Sequence, residues 1–313
     1  MDGTAMLSAF PFEDPGKPVS LCDYAPVLHV RDKRGDWVLK QTGLVHSGGE
    51  AIGGWLTALR GQGIDVVAPA SHLQPNPRRL DDGKEWVVYP FVSGTHYRAT
   101  DEQIAEAGRL LGRIHAADPP EACALATYAG PVVRDADWIA PHLASAEAAM
   151  IAAGADGGRL RATTEARLAA AEPIPGLPLA GCSFDFKASN LVFSPKPVLV
   201  DPDHAARLPR LYDLAVAVLL FHCDLRTAPG RLWTGAEWTV FLQAYREHVT
   251  FAGAEPASWR AVLELAWLDQ GVWLLGNWAE GWADTKDRAY LLDLSAFDPG
   301  SFPLMLPDWD RGA

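Results

Sequence analysis

The 313-residue chain predicts an α+β fold in two lobes, a small β-rich one over residues 1–90 and a larger, mostly helical one over 91–313. Three observations carry this. Short β-branched and aromatic runs occupy the first part, at Leu28-His29-Val30, Trp37-Val38-Leu39-Lys40 and Trp86-Val87-Val88-Tyr89. Beyond them apolar residues recur at helical spacing, as in Ile104, Ala107, Leu111 and Ile114. The length and a hydrophobic content of 49% suffice for a substantial core.

Taken in order, Asp32-Lys33-Arg34-Gly35-Asp36 is the turn between the first two strands, and Lys40 closes the second. Ser47-Gly48-Gly49-Glu50 has the form of a capping box, with Ser47 as N-cap and Glu50 at the third helical position. The helix that follows places Ile52, Trp55, Leu56 and Leu59 on one face. Neither G-x-G-x-x-G before Lys40 nor G-x-x-x-x-G-K-[ST] is present, which excludes a P-loop and leaves Phe12 to Tyr24 to cover any bound phosphates.

In the second part Thr100 and Gln103 form a further capping box, opening a helix to Ala117. Ala-rich segments from Ala144 to Ala171 predict one or two helices, interrupted at Gly154 to Gly158. Later helices are expected near Leu214–Phe221, Ala236–Phe251, Ser258–Leu275 and Lys286–Leu294, before a Pro-rich tail from Phe302. Five tryptophans between Trp259 and Trp282 suit interhelix packing and the wall of a pocket.

The chemistry gathers in residues 183–203. Leu191-Val192-Phe193 and Pro197-Val198-Leu199-Val200 read as two strands around the turn Ser194-Pro195-Lys196. In such a hairpin the start of the first strand lies beside the end of the second, so Asn190 and Asp201 come together. With Asp185 and Asp203 they make three carboxylates and an amide on strand ends. Mg2+, a hard cation that takes oxygen ligands, suits that set. A carboxylate left off the metal could accept a proton from a hydroxyl, and kinase chemistry needs that combination of positioning and charge neutralisation.

Asp185-Phe186-Lys187-Ala188-Ser189-Asn190 resembles the D-x-x-x-x-N catalytic loop of the aminoglycoside phosphotransferase/choline kinase-like family, small-molecule kinases of protein-kinase-like fold. Trp37-Val38-Leu39-Lys40, Tyr89-Pro90-Phe91-Val92-Ser93-Gly94, Leu111-Gly112-Arg113-Ile114-His115-Ala116 and Tyr212-Asp213-Leu214-Ala215 resemble further segments of it. The resemblance implies a nucleotide-binding lobe over 1–90 and a catalytic and acceptor-binding lobe over 91–313. It implies Asp185 as base, Asn190 and Asp201 as magnesium ligands with Asp203 beside them, and Lys40 on the phosphates of ATP. Asp213 would brace the catalytic loop. Glu50 stays open between the helix cap and an ion pair with Lys40. Lys187 resembles the lysine that meets the transferring phosphoryl group in serine/threonine protein kinases. The family's His two positions before the base is replaced by Ser183.

On this resemblance the expected activity is ATP-dependent phosphorylation of a hydroxyl on a small molecule such as an aminoglycoside or related antibiotic, a sugar or an alcohol. The alternatives are a serine/threonine protein kinase, which Lys187 favours, and a nucleotide-binding module without catalysis. Late acidic residues in aminoglycoside kinases meet the acceptor's ammonium groups, so Glu280 and Asp284, four apart, are the first acceptor-site candidates, with Asp224 and Asp269 after them. The net charge of −12 disfavours nucleic acid and anionic membrane as partners and suits a cationic acceptor. Four scattered cysteines and the lack of a basic, apolar leader predict a cytoplasmic protein, and no apolar run is long enough to span a bilayer.

Overall fold

A five-stranded antiparallel sheet in the order β1-β2-β3-β5-β4 forms the first part, from β1 (Val19–Ser20), β2 (Val27–Asp32), β3 (Gly35–Gln41), β4 (Arg78–Arg79) and β5 (Glu85–Pro90). The computed structural model describes residues 6–305 apart from 23–24, 43–44, 82, 129–135, 173 and 175. Tyr24, at the end of the stretch expected to cover phosphates, and the tail beyond Met305 lie outside the described residues. Alternation along β3 sends Val38 and Lys40 to one face with their cross-strand partners Tyr89 and Val87. Trp37 and Leu39 go to the other face, where Met6, Leu7, Phe10 and Leu73 cover them.

The β2–β3 turn is organised by Asp32, whose carboxylate accepts from the backbone N–H groups of Arg34 at 2.8 Å and Gly35 at 3.1 Å and from the Trp37 indole at 2.9 Å. Burial pushes this carboxyl up, but the converging donors outweigh it and hold it down at about 2.

Helix α1 (Gly49–Gly61) buries Ile52, Trp55, Leu56 and Leu59 as expected. Its N-terminus differs from the predicted capping box. Gly48 is the N-cap, and the Ser47 hydroxyl donates instead to the Ala205 carbonyl at 2.7 Å. The orphan N–H of Gly49 is satisfied by the Glu85 carboxylate at 2.9 Å, a side chain from β5 supplying the negative charge that a helix N-terminus favours.

Among the described residues beyond Pro90, the regular structure is helical apart from two small ribbons. These are β6 (Leu179–Cys182) with β9 (Ala206–Pro209), and β7 (Leu191–Phe193) with β8 (Pro197–Leu199). The helices are α2 (Asp101–Ala117), α3 (Ala136–Ala152), α4 (Gly157–Ala170), α5 (Arg210–Leu220), α6 (Gly235–Arg246), α7 (Glu255–Ala266), α8 (Val272–Asn277), α9 (Ala279–Ala283) and α10 (Thr285–Ser295). Thr100 caps α2 by accepting from the Gln103 N–H at 3.3 Å, while the Gln103 side chain turns back to the N–H of Arg98, two residues earlier than a capping box requires. The helix expected over Ser258–Leu275 is interrupted by a π turn at Trp267–Gly271.

Helices α2 and α6 approach so closely that a Cβ at Gly108 or Gly112 would collide with the carbonyls of Phe241 and Tyr245. One continuous cluster of buried apolar residues runs from Trp55 on α1 through Leu111, Phe186 and Tyr212 to Leu263. The packing therefore crosses residue 90, and α1 is shared between the sheet and the helices.

Candidate active site

The loop before β7 is built on a strained residue. Phe184 has φ 58°, in the left-handed region that bulky side chains rarely adopt. Its ring is held by Tyr128 at 4.7 Å, His46 at 4.9 Å and Tyr212 at 5.8 Å between centroids. The next residue is Asp185. A short 3-10 turn, Ala188–Asn190, then brings the Asn190 amide back onto Asp185, where it donates to the backbone carbonyl at 2.9 Å and to Oδ2 at 3.0 Å.

The β7–β8 register, Leu191 opposite Leu199, continues one step as the Val200 N–H donates to the Asn190 carbonyl at 2.9 Å. Asp201 follows directly, so the hairpin delivers Asn190 and Asp201 to one place as the sequence implied. Lys40 reaches the same place from the sheet. Its ammonium pairs with Asp201 and lies 3.0 Å from Asp203 Oδ2. Burial works against the Lys40 charge, but the two carboxylates outweigh it and hold its pKa above the usual lysine range. Burial likewise pushes the Asp201 carboxyl up, and Lys40 overrides this to hold it below the usual range.

Lys187 lies 3.2 Å from Asp185 Oδ2 and 3.5 Å from Asp224 Oδ2. Burial opposes its charge, yet the carboxylates of Asp185 and Asp224 outweigh it and raise its pKa above the ordinary lysine value. It is a permanent cation beside the candidate base.

Beneath the loop lies a network that the sequence reading reached only in part. Asp213, in the first turn of α5, is fully buried. Its Oδ2 accepts from His115 Nε2 at 2.9 Å and from the Ser183 hydroxyl at 3.5 Å. His115 Nδ1 is 2.9 Å from the Tyr245 hydroxyl. A carboxylate only accepts, so Nε2 is the donor and Nδ1 of a neutral ring accepts from the tyrosine. His115, in the last turn of α2, links that helix to α5 and α6. The 185–190 loop is tied to the end of α5 a second time, by the Ala188 N–H donating to the Phe221 carbonyl at 3.0 Å.

Several expectations need correction. Glu50 is exposed and meets neither Lys40 nor a cap, and it opens onto a groove of about 1040 Å³ between α1 and the 68–77 segment. The cause is helical rotation. The buried face is fixed by Ile52, Trp55, Leu56 and Leu59, and a residue two positions from Ile52 points roughly 200° away from it. Glu280 and Asp284 do not share a helix face, because α9 ends at Ala283 and Asp284 is the extended N-cap of α10, accepting from the N–H groups of Lys286 at 2.8 Å and Asp287 at 3.1 Å. Asp269 is buried in the π turn, where its Oδ2 accepts from the hydroxyls of Tyr212 at 2.6 Å and Tyr128 at 2.9 Å. Asp224 is exposed and pairs with Lys187.

The oxygens of Asn190, Asp201 and Asp203 fit a hard divalent cation. Two of the carboxylates already converge on one positive charge, the Lys40 ammonium, and the Asn190 contact with Asp185 engages its amide nitrogen and not its oxygen. Among the described residues no helix is long and apolar enough to cross a membrane, and the four cysteines are unpaired.

Comparison with known structures places this geometry in a wider group. An amicoumacin kinase in complex with AMP-PNP and Ca2+ superposes with a TM-score of 0.63 at 14% identity, over 99% of this chain and 97% of the other. A microcompartment-associated aminopropanol kinase gives 0.60 at 16% identity over 94% of each chain. An aminoglycoside phosphotransferase from Alicyclobacillus acidocaldarius gives 0.57 at 17% identity, over 95% of this chain and 96% of the other. At these identities the likeness is one of fold, the two-lobed protein-kinase-like fold. No curated protein sequence matches the chain. The model of the phosphotransferase enzyme family matches residues 23–265, more than half of the sequence and including every residue from Lys40 to Asp224 named above, and the chain belongs to that family.

Proposed function

We propose that this enzyme transfers the γ-phosphoryl group of ATP to a hydroxyl of a small molecule, with Asp185 as the base. The observation that carries the reading is the convergence of three contacts: Asn190 on Asp185, Val200 of the hairpin on Asn190, and Lys40 from the sheet on Asp201 and Asp203. Asn190 and Lys187 both approach Oδ2 of Asp185, which leaves Oδ1 to accept the acceptor's proton. Lys40 holds the nucleotide's phosphates. Lys187 faces the charge that develops on the phosphoryl group in flight. Asn190 and Asp201, with Asp203, would hold Mg2+, which supplies charge neutralisation on the transferring group.

The acceptor is a small molecule such as an aminoglycoside or related antibiotic, a sugar or an alcohol, a reading supported by the likeness to amicoumacin, aminopropanol and aminoglycoside kinases. Membership of the phosphotransferase enzyme family favours this over a protein-kinase role. Phosphorylation of hydroxylated antibiotics, sugars and amino alcohols, set against generic protein substrates and followed by mass spectrometry, separates the two.

The decisive variant is Asp185→Asn. It is expected to lower kcat by about 10²- to 10⁴-fold, the loss of a general base, while calorimetric affinity for Mg-ATP changes less than about twofold. Full turnover in this variant would overturn the assignment.

A further inference from the structure

Lys187 stands between two carboxylates, and only one of them is the candidate base. We propose that Asp224 is a positioning residue that holds the Lys187 ammonium beside the base, so that it governs phosphoryl transfer through Lys187 and not through contact with the acceptor. The proposal rests on the reading of Asp185 as base given above.

The segment carrying Asp224 is built to be rigid. Asp224 has φ 64°, a left-handed conformation that Asp and Asn adopt more readily than other side chains, and its neighbours on both sides are tied down. Two residues before it, His222 is held on both ring nitrogens, by the Tyr97 hydroxyl at 3.0 Å and the Arg231 carbonyl at 3.1 Å. Immediately after it, the Lys286 ammonium donates to the Leu225 carbonyl at 3.0 Å and also to that of Arg226. The same segment is hydrogen-bonded to the catalytic loop through Ala188 and Phe221. Backbone contacts therefore fix the separation of Asp224 from Lys187, and a tether to Asp224 fixes the ammonium relative to Asp185.

A tether is needed because of competition at the base. Asp185 Oδ2 already accepts from Asn190 at 3.0 Å. An ammonium with no second carboxylate would be drawn fully onto Asp185 and would bridge to Oδ1, the oxygen left to take the hydroxyl proton. Asp224 shares that attraction. Cys223 does not compete for the ammonium, since burial pushes its thiol up to about 12 and keeps it neutral. Asp287 of α10, which burial and the neighbouring Asp284 and Asp224 hold above the usual range, adds negative potential on the Asp224 side.

The test is a double-mutant cycle on hydrolysis of Mg-ATP alone, with water as acceptor. Asp224→Asn and Lys187→Met should each lower kcat by about 3- to 10-fold with KM for Mg-ATP unchanged, and the double variant should be no slower than Lys187→Met. Asp224→Glu should recover most of the rate. Multiplicative losses in the double variant would overturn the proposal. A second measurement needs no turnover: reductive methylation read by mass spectrometry should label Lys187 about two- to fivefold faster in Asp224→Asn, the scale of an exposed ion pair. An unchanged labelling rate would overturn it too. Failure of the base assignment is seen separately, as undiminished hydrolysis in Asp185→Asn.

Discussion

His115 and Asp213 form a fully buried pair, with Nε2 of the ring 2.9 Å from Oδ2 of the carboxylate, and the Ser183 hydroxyl shares that oxygen. The pair joins the end of α2 to the start of α5 directly under the loop that carries Asp185. His115→Ala would leave a buried carboxylate without its strongest donor, and a loss of about 3–5 kcal/mol in unfolding free energy is expected by chemical denaturation. Ser183→His would bring a second imidazole to a site already filled by the first. It should cost about 1–3 kcal/mol through overpacking, and combining it with His115→Ala should cost less than the sum of the two.

Lys40 balances two carboxylates that would otherwise repel each other. In Lys40→Met these acids lack their cation, so added Mg2+ should raise the melting temperature more in the variant than in the parent enzyme. Asp201→Asn in the same background should remove most of that gain. Thermal melts with and without the metal check both. An equal shift in the two proteins would contradict competition between the Lys40 ammonium and the metal for Asp201 and Asp203.

Glu237 predicts a pH dependence away from the active site. It forms a capping box with Thr234 at the start of α6 and pairs with Arg231. Burial pushes its carboxyl up, but the Arg231 and Thr234 donors prevail and hold it at about 2, below its ordinary 4.5. Its folded-state pKa is depressed, so its contribution is full above about pH 4.5 and declines as pH falls towards 2. The stability difference between the parent and Glu237→Gln should be about 1 kcal/mol at pH 6 and vanish near pH 2.

Two of the carboxylates singled out in the sequence should prove silent in catalysis. Glu50→Gln touches an exposed side chain and should change kcat and KM by less than about twofold and stability by less than about 0.5 kcal/mol. Asp284→Ala removes the cap of α10 and should lower stability by about 1 kcal/mol while leaving the acceptor's KM unchanged. Steady-state kinetics with denaturant melts on both variants checks this, and a raised acceptor KM in Asp284→Ala would restore it to the binding site.

The hairpin, the 185–190 loop before it and the buried face of α1 were legible in the residues themselves, because each depends on neighbours within about ten positions. Turn chemistry at Ser194-Pro195-Lys196 sets the pairing that brings Asn190 to Asp201, and the apolar spacing of Ile52, Trp55, Leu56 and Leu59 sets which side of α1 faces inward. That same rotation excluded Glu50 from the Lys40 site, a consequence the spacing contained but the capping-box pattern obscured.

What the tertiary structure alone decided are the pairings between distant segments. Lys40 meets Asp201 across 161 residues of chain, His115 meets Asp213 across 98, and Lys187 meets Asp224 across 37. No local pattern names the partner of a charge, since a lysine at a strand end or an acid after a helix is equally at home in solvent. The partner is chosen when α2, α5 and the sheet pack together, because burial then makes an unpaired charge too costly to leave.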